Sequence, residues 1–278
     1  MKQFADVMVL IFVVSSVLSV GLSLTVSQIV APLCRVRLVV MSLLVNFVVA
    51  PAVAVAIAKT MSLSEPAAVG LILLGAAAGA PFLPKIVEVA KCDVPFSVAL
   101  MVLLMLVSLA YLPLVLPLLL PGVSVNSLKI ARSLLVTMIL PLCVGLLLKV
   151  RSESLAARLR PLLNRLSNVS LFVVLVLIPA MNFQRLLEMV STRAIPAALL
   201  LIATSFGAGY LLGGPTRETR QVLGFGTAAR NIPAALLIGG QNFDDPNVAI
   251  MVIVVALLSL LLLVPMAVAI SRSKSILK

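Results

Sequence analysis

The sequence has no histidine and no tryptophan, three cysteines, and aromatic residues at 4% of its 278 positions. Without histidine there is no Ser-His-Asp triad and no imidazole-based metal centre, and three scattered thiols (Cys34, Cys92, Cys143) make no disulfide framework. Charge is scarce too, at 11% of residues against about 25% in soluble domains. Too few charges exist to cover a water-facing surface. Among apolar stretches the acids are limited to Glu88 and Asp6, so paired carboxylates for acid–base chemistry are also missing, and the chain reads as no enzyme. What is abundant is hydrophobic residues, at 62%, with a mean hydropathy of +1.26. The net charge of +12 would suggest nucleic acid in a soluble chain, but here the cations lie between apolar runs. The composition is that of a polytopic membrane protein whose surroundings are membrane lipid, with no nucleic acid partner and no metal or cofactor.

A bilayer core about 30 Å thick needs about 20 apolar residues per helix. Nine segments qualify within a single domain covering residues 1–278: Ala5–Ile29, Val36–Ala58, Ala67–Ala90, Val94–Leu120, Leu134–Leu148, Val169–Met181, Ile195–Gly213, Val222–Gly240 and Val248–Ile270. The fifth and sixth are short. Alternation of polar and apolar residues, the mark of a membrane barrel, is absent, so the fold is read as all-α. Thirteen Lys and Arg fall on one side of this arrangement, including Arg35, Arg37, Arg158, Arg160, Arg165 and Lys274, and six fall on the other. The positive-inside rule puts the thirteen in the cytoplasm, the N-terminus outside and the C-terminus inside the cell (inner) membrane.

Two cations remain, Lys85 and Arg230, and both lie within apolar segments. A cation near the bilayer centre costs about 3 kcal/mol or more unless it meets a cavity or a partner. Lys85 ends the run Gly75-Ala76-Ala77-Ala78-Gly79-Ala80-Pro81-Phe82-Leu83-Pro84-Lys85, where two prolines predict a helix break near Pro81–Pro84. Arg230 lies in Gly224-Phe225-Gly226-Thr227-Ala228-Ala229-Arg230-Asn231-Ile232-Pro233, which predicts a second break over Gly226–Asn231. Lys85 has Glu88 one turn on as an alternative partner, whereas Arg230 has no acid within a turn. The two breaks occupy comparable places in two halves and run in opposite directions. Such paired interruptions point to an inverted-repeat transporter in which half-helix N-termini face an anionic group. Arg230, Asn231, Thr227 and Lys85 are therefore the candidate substrate-binding residues.

At these residues the sequence resembles the bile acid:sodium symporter family, which includes bacterial carriers of small organic anions. The resemblance runs through Val20-Gly21-Leu22-Ser23-Leu24, Asn46 to Pro51, the Gly-rich break, Lys91-Cys92-Asp93-Val94 with Ser97, and Arg230-Asn231 where the family has Gln-Asn. It implies a nine-helix version of the family's fold, with a panel domain and a core holding two crossed, unwound helices. It also implies ion-site positions at Asn46, Ser97, Gly226 and Pro84. Here the sequence departs from the family: Gly226 stands for a Glu, Leu83 and Pro84 for a Ser-Asn pair, Met101 for a Thr and Arg230 for a Gln. Sodium wants five or six oxygens, as other hard cations do, and several are gone.

Lys85 and Arg230 accompany this loss, so the cation is read as built into the protein. The leading expectation is a sodium-independent secondary carrier of a small organic anion (a bile-acid-like, 2-oxo acid or pantoate-like molecule), proton-coupled through a desolvated Lys85 or acting as a facilitator. Three alternatives stay open: sodium symport with a rearranged site, a non-transporting sensor, and the related arsenite exporters, which use a thiolate near the break, where Cys92 is close in sequence.

Overall fold

A computed structural model describes residues 2–25, 35–121, 123 and 125–276, and these form helices joined by short links, with no strand among them. The predicted end of the first span at Ile29, and Cys34, lie outside the described residues. In chain order the helices are α1 (Lys2–Ser23), α2 (Val36–Thr60), α3 (Glu65–Ala76), α4 (Leu83–Val89), α5 (Val94–Leu119) and α6 (Ser127–Arg151). They continue with α7 (Glu153–Met181), α8 (Phe183–Ser191), α9 (Ala194–Leu212), α10 (Arg217–Ala228), α11 (Ile232–Asn242) and α12 (Pro246–Ile276). Eight helical segments among the described residues are long and apolar enough to cross a bilayer, with α10 and α11 counted as one of them. Each backbone donor must find its partner inside the helix once lipid replaces water, which is why so apolar a chain folds this way. Polar residues start the helices where the chain turns: Asp93 accepts from the Phe96 N–H, Asn126 from Lys129, Ser152 from Leu155 and Thr216 from Thr219.

Two expectations about boundaries change. The fifth and sixth spans are not short, because α6 starts at Ser127 and α7 at Glu153. The basic stretch that reads as a middle loop is helix on both sides of Ser152, where Lys149 pairs with Glu153 at 2.6 Å. Hydropathy falls at those charges, but helix resumes one residue after Ser152.

Both predicted breaks are present, with different limits. The first covers Ala77–Phe82, ahead of Pro84, which starts α4 in its first turn. Proline fits there because the first-turn N–H groups have no intrahelical acceptor. Gly79 makes the actual reversal, with φ of +85° and its Cα so close to α5 that a Cβ would lie 2.3 Å from the Met105 nitrogen. The second break is narrower, Ala229–Asn231, and Gly226 is helical. Gly226 is small for a packing reason: Leu83 and Leu100 fill the space of its missing side chain.

Close glycine contacts assemble the rest. Gly21 of α1 meets Gly145 of α6, and Gly209 of α9 meets Gly224 of α10, each pair allowing backbones to touch as small residues do in membranes. α7 joins α1 through the Ser19 hydroxyl, which donates to Asn164 Oδ1 over 2.9 Å. Gly70 of α3 sits against Val248 and Met251 of α12, and Gly239 of α11 lies near Leu73 and Val248. The start of α3 thus lies beside the end of α11, so the two broken helices run in opposite directions through the core. α2 and α6 each contain one wide π-type turn, Val45–Val49 and Leu135–Ile139, placed just before Pro51 and Pro141.

Candidate functional site

The two unwound stretches are hydrogen-bonded to each other. The Asn231 main-chain N–H donates to the Ala77 carbonyl over 2.9 Å, and Asn231 Nδ2 donates to the Ala78 carbonyl over 3.4 Å. Asn231 Oδ1 meanwhile accepts from the Ala234 N–H and caps α11. Ser108 of α5 serves both sides of Ala78, accepting from its N–H and donating to its carbonyl, each over 3.0 Å. These bonds satisfy backbone groups that the breaks release in a site without bulk water.

α3 and α10 end at this crossing, and α4 and α11 begin there. Two C-terminal half-dipoles of about −0.5 each therefore converge at Ala77 and Ala229. Arg230 follows immediately and is 2% exposed. Its guanidinium donates to Asn46 Oδ1 over 3.5 Å and to Ser205 Oγ over 3.4 Å, while Nε has no partner among the described residues. No carboxylate pairs with it there. The N-terminal ends of α4 and α11 lie at the same crossing and offset these half-dipoles, so the buried guanidinium is held by its contacts with Asn46 and Ser205.

The wide turn of α2 places Asn46 for this contact. Asn46 Nδ2 donates to the Ser42 carbonyl over 3.0 Å and to Thr227 Oγ1 over 3.2 Å, leaving Oδ1 for Arg230. Pro51 has no N–H to give the Phe47 carbonyl four residues back, and the Tyr111 hydroxyl donates to that carbonyl instead, over 2.7 Å. Proline, wide turn and tyrosine together hold the amide facing the guanidinium.

Lys85 belongs to different surroundings. Its side chain is exposed and lines a cavity of about 250 Å³ with Asn168, Leu171, Ile232 and Leu260, bounded by α4, α7, α11 and α12. A smaller adjoining space of about 70 Å³ adds Ser16, Asn164, Ser167, Pro81 and Pro233, and reaches α1. Pro81 and Pro233 mark the chain entering α4 and α11, so the cavity abuts the N-terminal ends of both second half-helices. Among the described residues no ion pair joins Lys85 to Glu88. A further cavity of about 190 Å³ lies between α1, α7, α11 and α12 at the other end of α11, bordered by Asp6, Asn182, Asp244 and Asp245.

The structure therefore brings together Arg230, Asn46 and Thr227, with Asn231 beside them, and sets Lys85 apart. Ser97 is fully buried and its hydroxyl donates to its own helix at Val94. Pro84 and Gly226 offer no side-chain oxygen, and Leu83 and Met101 are apolar and buried. Sequence reasoning missed Ser108, Tyr111, Ser205, Asn164 and Asn168. The first three are polar residues in apolar runs, and Tyr111 is one of only two tyrosines, a usable signal. Asn164 and Asn168 stood in the stretch misread as loop.

A family model described as the sodium bile acid symporter family matches residues 8–189, about two thirds of the chain. No curated protein matches the sequence.

Proposed function

The chain belongs to the sodium bile acid symporter family, whose members are multi-pass membrane transporters of organic anions, and on that premise we propose that it carries a small organic anion without sodium. The observation that supports this most is the division of labour between its two membrane cations. Arg230 is enclosed beside the crossing against the oxygens of Asn46 and Ser205, where a guanidinium supplies the positive charge a bound ion would bring. Lys85 faces an open cavity at the paired N-termini.

An anion in that cavity meets the Lys85 ammonium, the Asn164 and Asn168 amides and the positive end of α11. Asn164 Oδ1 already accepts from Ser19, which turns its amide nitrogen free to donate. The apolar wall of Leu171, Leu175 and Leu260 suits the hydrocarbon part of a carboxylate. Arg230 and Asn231 act on this site through the crossing they hold, and Lys85 supplies the charge contact. Mutual movement of the helices that flank the cavity then exposes it alternately to the two sides of the membrane, with the N-terminus outside.

A thermal-shift screen of carboxylates in potassium buffer tests the assignment. Ligands from the sterol-acid, 2-oxo-acid and pantoate classes are compared on the wild type and on Lys85→Gln. One class should raise the melting temperature of the wild type, and Lys85→Gln should need about tenfold or more ligand for the same shift, the scale of a charge-assisted hydrogen bond. Equal shifts in both proteins would remove Lys85 from the site.

A further inference from the structure

α7 is too long for a bilayer. Its 29 residues extend about 43 Å, against a hydrocarbon core of about 30 Å. A crossing of about 20 residues that ends at Met181 begins near Leu162, so the first turns of α7 project into the headgroup layer.

That projecting end has a specific pattern. Arg158 and Arg165 lie seven residues apart and are both exposed. Seven residues at 100° each fall about 20° short of two turns, so the two guanidinium groups make one stripe along the helix. Leu155, Leu162 and Val169 repeat at the same interval, about 40° round from the arginines, and are 42%, 59% and 61% exposed. The buried side, at Ala156, Ser167 and Ser170, faces the protein instead. Arginine and leucine therefore share an outward surface that none of the described residues covers. Nor is the charge neutralised: among the described residues neither arginine has an ion pair, and the nearby Glu153 is held by Lys149.

We propose that this stripe is a binding site for an acidic phospholipid, with the phosphate between Arg158 and Arg165 and the acyl chains along Leu162 and Val169. Guanidinium groups take phosphate oxygens two at a time, and the arginine stems can lie on the same apolar surface as the chains. Apolar residues on the same surface favour a lipid over a soluble phosphate. The site also adjoins the cavity that holds Lys85, because Asn164 and Asn168, which line that cavity, lie within one turn of Arg165 on the same helix. A lipid fixed on the outer side of this segment steadies the cavity wall.

The test uses the whole protein in nanodiscs of phosphatidylcholine alone or with one third phosphatidylglycerol. Wild type is compared with Arg158→Gln/Arg165→Gln and with Arg35→Gln/Arg37→Gln, which removes the same charge from two exposed arginines elsewhere. Phosphatidylglycerol should raise the melting temperature of the wild type and of the Arg35/Arg37 variant, and raise that of the Arg158/Arg165 variant much less. Native mass spectrometry from mixed micelles should show phosphatidylglycerol retained on the wild type with about twenty-five-fold higher apparent affinity than on Arg158→Gln/Arg165→Gln, at roughly fivefold per surface arginine. Should that variant fail to fold, the retention of phosphatidylglycerol over phosphatidylcholine by the wild type, and by Arg158→Lys/Arg165→Lys, carries the test. No preference in the wild type, equal losses in both double variants, or full replacement of the effect by soluble glycerol phosphate would each overturn the proposal.

Discussion

The Asn231 main-chain N–H and the Ala77 carbonyl, 2.9 Å apart, tie the two broken helices together at their crossing. Everything else at the centre of the molecule is arranged around that bond: Ser108 completes Ala78, Asn231 caps α11, and Arg230 points the other way toward Asn46 and Ser205.

Asn231→Ala removes the cap on α11 and the bond to Ala78 while keeping the main-chain link. A loss of about 2 kcal/mol is expected, the sum of a cap and one buried hydrogen bond. Thermal denaturation in detergent measures it. An unchanged melting temperature would show that the crossing rests on the backbone bond alone.

Gly79→Ala should not yield a folded protein, because the left-handed backbone and the Met105 main chain both exclude a Cβ. Gly240→Ala, which meets nothing within 4 Å, should fold normally. Size-exclusion profiles of the two variants separate the cases, and a monodisperse Gly79→Ala peak would contradict the geometry.

Arg230→Met gives the sharpest reading of the buried guanidinium. A charge that is merely buried and underpaired destabilises, so an apolar replacement of similar length would raise stability. A charge that is hydrogen-bonded to the Asn46 and Ser205 oxygens stabilises, and its removal, which leaves those buried oxygens unpartnered, should lower stability by about 2 kcal/mol. The account predicts the lower melting temperature, with partial recovery in Arg230→Lys, which keeps the charge but cannot reach both Asn46 and Ser205. Added methylguanidinium at millimolar concentration should restore part of the loss in Arg230→Ala.

Cys92 lies between α4 and α5 and donates to Gln221 Oε1 over 3.1 Å, while Lys274 Nζ sits 3.2 Å from its sulfur. Burial pushes the thiol up from its ordinary range, opposed by the hydrogen bond and charge of Lys274. Glu218 raises it further and Arg217 lowers it. Lys274 favours the thiolate, so Lys274→Gln should move the midpoint of the pH–labelling profile to higher pH in a Cys143→Ser background. A midpoint that stays or falls would show that Lys274 does not govern the thiol.

The helical membrane class was legible in composition, and Lys85 and Arg230 stood out because cations in apolar runs are costly. The breaks were legible as small-residue and proline clusters, but their limits were not, since proline starts a half-helix as readily as it ends one. The length of α7 was hidden because hydropathy tracks lipid contact and the helix continues past it. Sequence treated Lys85 and Arg230 as one site, and the geometry separates them, because one-turn differences in where α4 and α11 begin decide which side of the crossing a side chain leaves. The partners of the Ser108 and Ser205 hydroxyls were not legible for another reason: single polar residues in membrane helices commonly bond their own backbone, and only the fold shows which reach a neighbour.

The most direct test of the account is uptake of a stabilising carboxylate into proteoliposomes, with sodium and then potassium outside at equal ionic strength. If Arg230 fills the place of the ion, as proposed, initial rates should be the same in both salts, and the affinity for the carboxylate should not change. Uptake that rises saturably with sodium, or that needs it, would contradict the central claim and favour symport through a rearranged ion site.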